Sequence, residues 1–197
     1  AGHGLTPAEQ AFLDGPVNTL CAMLDDWRIT HVDADLPAPV WDYIREQGFF
    51  GLIIPPEYGG KGFSALAHSE IVLRLATRSV VASVTVMVPN SLGPGKLLAH
   101  YGTQAQKDHY LPRLASGQDI PCFALTGPLA GSDASNLPDL GVVFRHDDGT
   151  LGIRLSFAKR YITLGPVATV IALAFRLTDP DHLLGDADDL GITVALV

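Results

Sequence analysis

The chain has 197 residues, 47% hydrophobic and 17% charged, with a net charge of −8. That length can bury a real core, as one domain or as two small ones. The acidic balance argues against nucleic acid or an anionic membrane surface as a partner, while leaving room for a locally basic pocket that takes a phosphorylated ligand. No apolar run reaches the ~18 residues of a membrane span, and no stretch reads as a leader peptide. The apolar excess suggests more buried surface than one copy covers, hence a homo-oligomer. Two cysteines, Cys21 and Cys122, both in apolar surroundings, read as reduced core residues of a cytoplasmic protein.

Ala1-Gly-His-Gly4 is left outside the fold. Thr6-Pro-Ala-Glu9 then starts a helix with three agreeing signals: a hydroxyl cap, proline in the first turn, and glutamate at the capping-box position. That helix carries Phe12, Leu13, Leu20, Leu24 and Trp27, with a kink or restart at Gly15-Pro16. Asp33 to Leu36 is a polar connection. Pro37 to Gln47 reads as a second helix with Val40, Trp41 and Ile44 on one face and Gly48 as its stop. Phe49 to Pro56 is a buried extended or turn segment, and Glu57-Tyr-Gly-Gly60 a tight loop.

Ser64 caps a third helix, Ala65 to Arg78. The β-branched run Ser79 to Val88 fits a buried strand or a buried helix equally by periodicity. Lys96 to Tyr101 is a short helix ended by Gly102, and Thr103-Gln-Ala-Gln106 is a second capping box opening a helix to about Leu114. From Ile120 the pattern changes to strands: 121–126, 141–145, 151–157, 161–164, 168–176 and 192–197. Asp147-Asp-Gly149 is a hairpin turn signal between two of them. Helices followed by strands, divided as 5–119 and 120–197, give an α+β arrangement.

Two stretches carry the chemistry. Phe123-Ala-Leu-Thr-Gly-Pro-Leu-Ala-Gly-Ser-Asp133 is a strand feeding a turn of hydroxyls and bare amides, suited to an anionic or flat polar ligand. Lys159-Arg-Tyr-Ile-Thr-Leu-Gly165 places Tyr161 and Thr163 on one face of a predicted strand. Taken alone, Thr126 and Ser132 read as loop hydroxyls serving their own backbone, and Tyr161 as a core aromatic. Together, the two stretches resemble the flavin-binding segments of the acyl-CoA dehydrogenase family. Gly48-Phe-Phe-Gly-Leu-Ile-Ile-Pro-Pro-Glu-Tyr-Gly-Gly60, Pro89-Asn-Ser-Leu-Gly93 and Tyr101 to Leu114 fall in the family's order and spacing. The resemblance runs from about Leu5 to Val197 and is nearest to the large bacterial enzymes of fatty-acid β-oxidation.

The resemblance implies an N-terminal helical domain, in which Ser79 to Leu92 is a helix. It also implies an antiparallel β-barrel domain, here truncated, with a C-terminal helical bundle expected beyond Val197. The strand Gly191 to Val197 looks cut in mid-course, which fits a chain that is the N-terminal portion of a longer one. It implies FAD, an acyl-CoA substrate dehydrogenated to the trans-2-enoyl-CoA, and an electron-transfer flavoprotein as acceptor. Phe123, Leu125, Thr126, Gly131 and Ser132 would line the cofactor on one side, with Thr126 bonding the ring edge and Ser132 also meeting the acyl-CoA. Tyr161, Ile162 and Thr163 would contact it from the other side. The base, a glutamate of the C-terminal part, is not expected among Glu9, Glu46, Glu57 and Glu70, which read as solvated or capping groups. An acyl-CoA oxidase of the same fold and a non-catalytic acyl-CoA-binding module remain alternative readings. Three departures stand out: Gly127 where the family commonly has an acid, Leu129 where it often has glycine, and Tyr161 where many members have tryptophan.

Overall fold

The computed structural model describes residues 4–91, 93–129 and 131–197. Ala1 to His3, Leu92 and Ala130 lie outside the described residues, and with them the expected end of the Ser79 to Leu92 helix and one position of the glycine-rich turn. The chain divides into two compact units: residues up to Pro121 together with Val167–Thr169, and Cys122–Pro166 together with Val170–Val197.

The first unit is helical. Helix α1 (Pro7–Phe12) begins in the expected capping box, with the Thr6 hydroxyl accepting from the Glu9 amide and the Glu9 carboxylate from the Thr6 amide. Gly15-Pro16 does not break the chain's course. It widens one turn (Leu13–Val17) to π geometry, and α2 (Asn18–Met23) continues from it. The helix does not reach Trp27 as expected. Leu24 is extended, Asp25 caps the separate single turn α3 (Asp26–Arg28), and Trp27 stands 71% exposed. After α4 (Ala38–Glu46), Gly48 sits at φ +74°, where a residue without a side chain ends the helix at little steric cost.

Ser64 caps α5 (Ala65–Ala76), and the ambiguous β-branched run forms α6 (Val80–Ser91). Buried polar side chains are satisfied locally: Thr85 donates to the Val81 carbonyl and Ser83 to that of Val72. Asn90 donates to the Phe49 and Val86 carbonyls and accepts from the Ile53 amide, binding α6 to the buried Phe49–Phe50 segment. Helices α7 (Pro94–Tyr101) and α8 (Gln104–Ser116) follow, the latter opened by the Thr103/Gln106 capping box.

The second unit is a mixed sheet of five strands: β1 (Pro121–Ala124), β2 (Leu140–Arg145), β3 (Leu151–Ser156), β4 (Val170–Thr178) and β5 (Asp189–Leu196). β5 takes one edge of β4, leaving the other to β1 and β2. The pairs β2–β3 and β4–β5 are antiparallel as expected. The wholly antiparallel expectation fails at β2 and β4, which run parallel over Leu140–Val142 and Arg176–Thr178. The long return through β3 and residues 157–169 permits that direction. Val143, Leu173, Phe175 and Leu177 form the core with Ala124, and a Cβ on Gly141 would overlap the Phe175 ring.

The predicted strand over 161–164 does not form. Tyr161 and Leu164 have φ of +59° and +65°, and the Gly165 amide closes a turn on the Ile162 carbonyl at 2.9 Å. Tyr161 and Thr163 therefore do not share a strand face.

Glu9 is not solvated: it is 3% exposed, and its Oε1 also accepts from the Ser64 amide at 2.7 Å. One carboxylate thus closes the N-termini of α1 and α5. The Ser64 backbone donor, followed by that of Thr6, holds its pKa down from 4.5 to about 2. A depressed carboxylate pKa contributes stability that is fully present above 4.5 and lost as the pH falls toward about 2. In urea unfolding from neutral pH to pH ~2, Glu9→Gln should remove this part of the acid limb. Identical acid limbs in the two proteins would contradict this role for Glu9.

Candidate functional site

β1 ends at Ala124, and the two carbonyls that follow are met by a distant segment. Lys159 Nζ donates to the Leu125 carbonyl at 2.9 Å, and the Arg160 amide to the Thr126 carbonyl at 3.0 Å. Lys159 is anchored in turn on Asp139, with Nζ 2.5 Å from Oδ2 and side chains only 5% and 2% exposed. The other carboxylate oxygen, Oδ1, accepts from the Ala158 amide at 2.9 Å, and the Asp139 backbone carbonyl accepts from the Arg176 amide on β4 at 2.9 Å. Asp139 thus joins the sheet, residue 158 and Lys159 at one point. Burying both charges carries a large desolvation cost, tolerable because each is paired and hydrogen-bonded further.

These bonds form a bracket that lays residues 125–126 against 158–160. Beside it opens a cavity of about 290 Å³ lined by Pro128, Leu129, Pro138, Asp139, Phe157 and their neighbours. Leu129, Phe157 and Tyr161 are 85%, 49% and 88% exposed. Leu129 and Phe157, held out to water at a cavity that Asp139 also lines, make a surface for a ligand with flat apolar parts.

The residues singled out from sequence separate into groups. Leu125 and Thr126 form one side of the bracket, Thr126 half-buried, and Tyr161 lies one residue beyond the Arg160 anchor. Phe123 lies on β1, half-buried. Ile162 turns inward and packs on the sheet core, while Thr163 is exposed in the turn after it. Gly131 and Ser132 are exposed, and among the described residues no hydrogen bond ties them to the bracket. Cys21 and Cys122 are unbridged, and burial pushes both thiols up, away from the reactive thiolate form.

Sequence reasoning missed Asp139 altogether and gave Lys159 no role. Asp139 follows Leu137-Pro138 and reads as a loop residue; only its placement 20 positions from Lys159 reveals the pair. It also bears on the departure at Gly127. Gly127 is buried, and a Cβ built there would lie 3.8 Å from Asp139 Oδ2 and 3.4 Å from the Ala158 carbonyl. A carboxylate therefore stands beside this position although residue 127 brings none.

Residues 9–118 match the family described as acyl-CoA dehydrogenase, N-terminal domain. The chain belongs to the acyl-CoA dehydrogenase family. It is 32% identical over 148 residues to the acyl-CoA dehydrogenase of Bacillus subtilis, covering 75% of this chain and 37% of the relative. Over 97 residues it is 37% identical to the human mitochondrial very long-chain specific acyl-CoA dehydrogenase, covering 49% of this chain and 15% of the relative. All of this chain superposes on half of the butyryl-CoA dehydrogenase of Megasphaera elsdenii, with a TM-score of 0.78 at 25% identity and coverage of 100% and 50%. The chain thus spans half or less of these relatives' length. The family match falls in the helical unit, and the superposition covers the sheet as well.

Removing one partner of a buried pair leaves an uncompensated charge. Lys159→Met should destabilise the protein by about 3–5 kcal/mol in denaturant unfolding. A loss below about 1 kcal/mol would mean that the pair behaves as a solvated surface contact.

Proposed function

We propose that this chain forms the flavin-holding part of an FAD-dependent acyl-CoA dehydrogenase of fatty-acid β-oxidation. The enzyme would be cytoplasmic and homo-oligomeric, and would pass electrons to an electron-transfer flavoprotein. The observation that carries this reading is the bracket, in which the Arg160 amide holds the carbonyl of the half-buried Thr126 and the exposed Tyr161 follows in sequence. These residues suit the cofactor. The Thr126 hydroxyl suits a polar ring edge, Tyr161 offers a flat face, and Leu129 and Phe157 offer apolar cover.

In this reading Thr126 hydrogen-bonds the flavin ring edge, and Phe123 and Leu125 support that side from β1 and its end. Tyr161 and Thr163 serve the opposite side. Ile162, packed in the core, anchors the turn that presents them. Gly131 and Ser132, exposed in the glycine-rich turn, are free to meet the pyrophosphate, and Ser132 the acyl-CoA as well. When bound, the flavin accepts the β-hydride of the acyl thioester.

The chain's glutamates are poorly placed as the base for the α-proton. Glu9 has both oxygens committed to backbone amides, and Glu46, Glu57 and Glu70 are exposed in the helical unit. In this reading the base is the glutamate that the family resemblance implies in a C-terminal part, rather than one of these four.

The test is the visible spectrum of the purified enzyme during anaerobic addition of a long-chain acyl-CoA. Bleaching of a flavin band by about one equivalent is expected, as hydride transfer without oxygen runs once per flavin. Protein that holds no flavin overturns the reading. A flavin band that no acyl-CoA bleaches favours the binding-module alternative.

A further inference from the structure

The Asp139–Lys159 pair is buried at the base of the bracket, and neither side chain is among the residues read as contacting the flavin. We propose that the two are positioning residues for the flavin, acting through the Leu125 carbonyl and the Ala158 amide, and that the carboxylate can equally be delivered from position 127. The proposal rests on the flavin reading above and adds to it the device that sets the cradle's geometry.

Three observations support it. First, beyond their bond to each other, the two side chains bond only to the backbone of the cradle segments. Lys159 holds the Leu125 carbonyl, Asp139 Oδ1 holds the Ala158 amide, and the adjacent Arg160 amide holds the Thr126 carbonyl. A shift of the pair therefore moves Thr126 and Tyr161 together. Second, the pair costs more to bury than an apolar contact of the same volume, so its value lies in fixing one arrangement of its neighbours. Third, Asp139 also lines the cavity beside the bracket, and the Arg176 amide of β4 holds its backbone carbonyl.

Position 127 supplies an independent test of the geometry. A Cβ there meets only ordinary contacts, at 3.4 Å to the Ala158 carbonyl and 3.8 Å to Asp139 Oδ2. The 3.8 Å from that Cβ to Oδ2 is about the reach of an extended glutamate side chain. Gly127→Glu alone sets a second carboxylate against Asp139 and should weaken the site. Gly127→Glu combined with Asp139→Ala vacates the space and returns one carboxylate to Lys159, so two harmful changes should compensate each other.

The experiment measures FAD dissociation and the visible flavin spectrum of the purified enzyme, with thermal melting in parallel. Asp139→Asn should raise the FAD Kd about tenfold or more and move the flavin band. Gly127→Glu/Asp139→Ala should return the Kd to within about threefold of wild type. Should Asp139→Asn fail to fold, the neutral pair Asp139→Leu/Lys159→Met, which leaves no unpaired buried charge, replaces it. It should melt close to wild type yet still bind FAD about tenfold more weakly.

If the neutral pair or a folded Asp139→Asn binds FAD with wild-type affinity and spectrum, the pair is packing only and the proposal is overturned while the flavin reading stands. Failure of Gly127→Glu/Asp139→Ala to recover overturns the claim about position 127. Wild-type enzyme that binds no FAD overturns both the proposal and the flavin reading.

Discussion

A buried ammonium joins parts of the chain that sequence keeps far apart. Lys159 reaches the Leu125 carbonyl across 34 positions and Asp139 across 20. Both residues are almost wholly withdrawn from water, so the pair holds only while its geometry is kept. The rest of the candidate site follows from that constraint. β1 ends where Lys159 takes its next carbonyl, residues 158–160 lie beside the strand end without entering a ladder, and Tyr161 is turned out to solvent. A loop fixed in this way can present side chains to a ligand without the ordering cost of a mobile one.

The helical unit uses the same device. Glu9 closes two helix starts with one carboxylate, and Asn90 satisfies three backbone groups of the buried Phe49 segment and its own helix. Asp119 receives two bonds from Arg113 and one from Thr169, and the Arg113 guanidinium holds its carboxyl below the usual range. That cluster brings Val167–Thr169 into the first unit, so the chain passes from the sheet back to the helices just before β4. In each case an irregular segment is fixed by a buried polar side chain with all its bonds made, which is what such segments require when they leave regular structure.

What could be read from the sequence was local. The caps at Thr6, Ser64 and Thr103 act on amides three residues ahead, and all three form as read. The hairpin at Asp147-Asp-Gly149 is equally short-range, with Gly149 at φ +87°. The helix over Val80–Ser91 was not decided by its β-branched residues, which suit a strand as well; family likeness supplied it. The 161–164 segment misled because an aromatic and a threonine two apart imitate a strand. Positive φ at Tyr161 and Leu164 precludes one, and no local pattern announces it. Asp139 was the largest omission, since an aspartate after a proline is an ordinary loop residue until a lysine 20 positions away is seen to need it.

Amide hydrogen exchange at Ala158 and Arg160, read residue by residue in FAD-free protein, tests the central claim most directly. Slow exchange is expected at both, because the Asp139 carboxylate and the Thr126 carbonyl hold these amides. Exchange at the rate of an open loop, slowing only when FAD is added, would show that the ligand and not the buried ion pair builds the cradle.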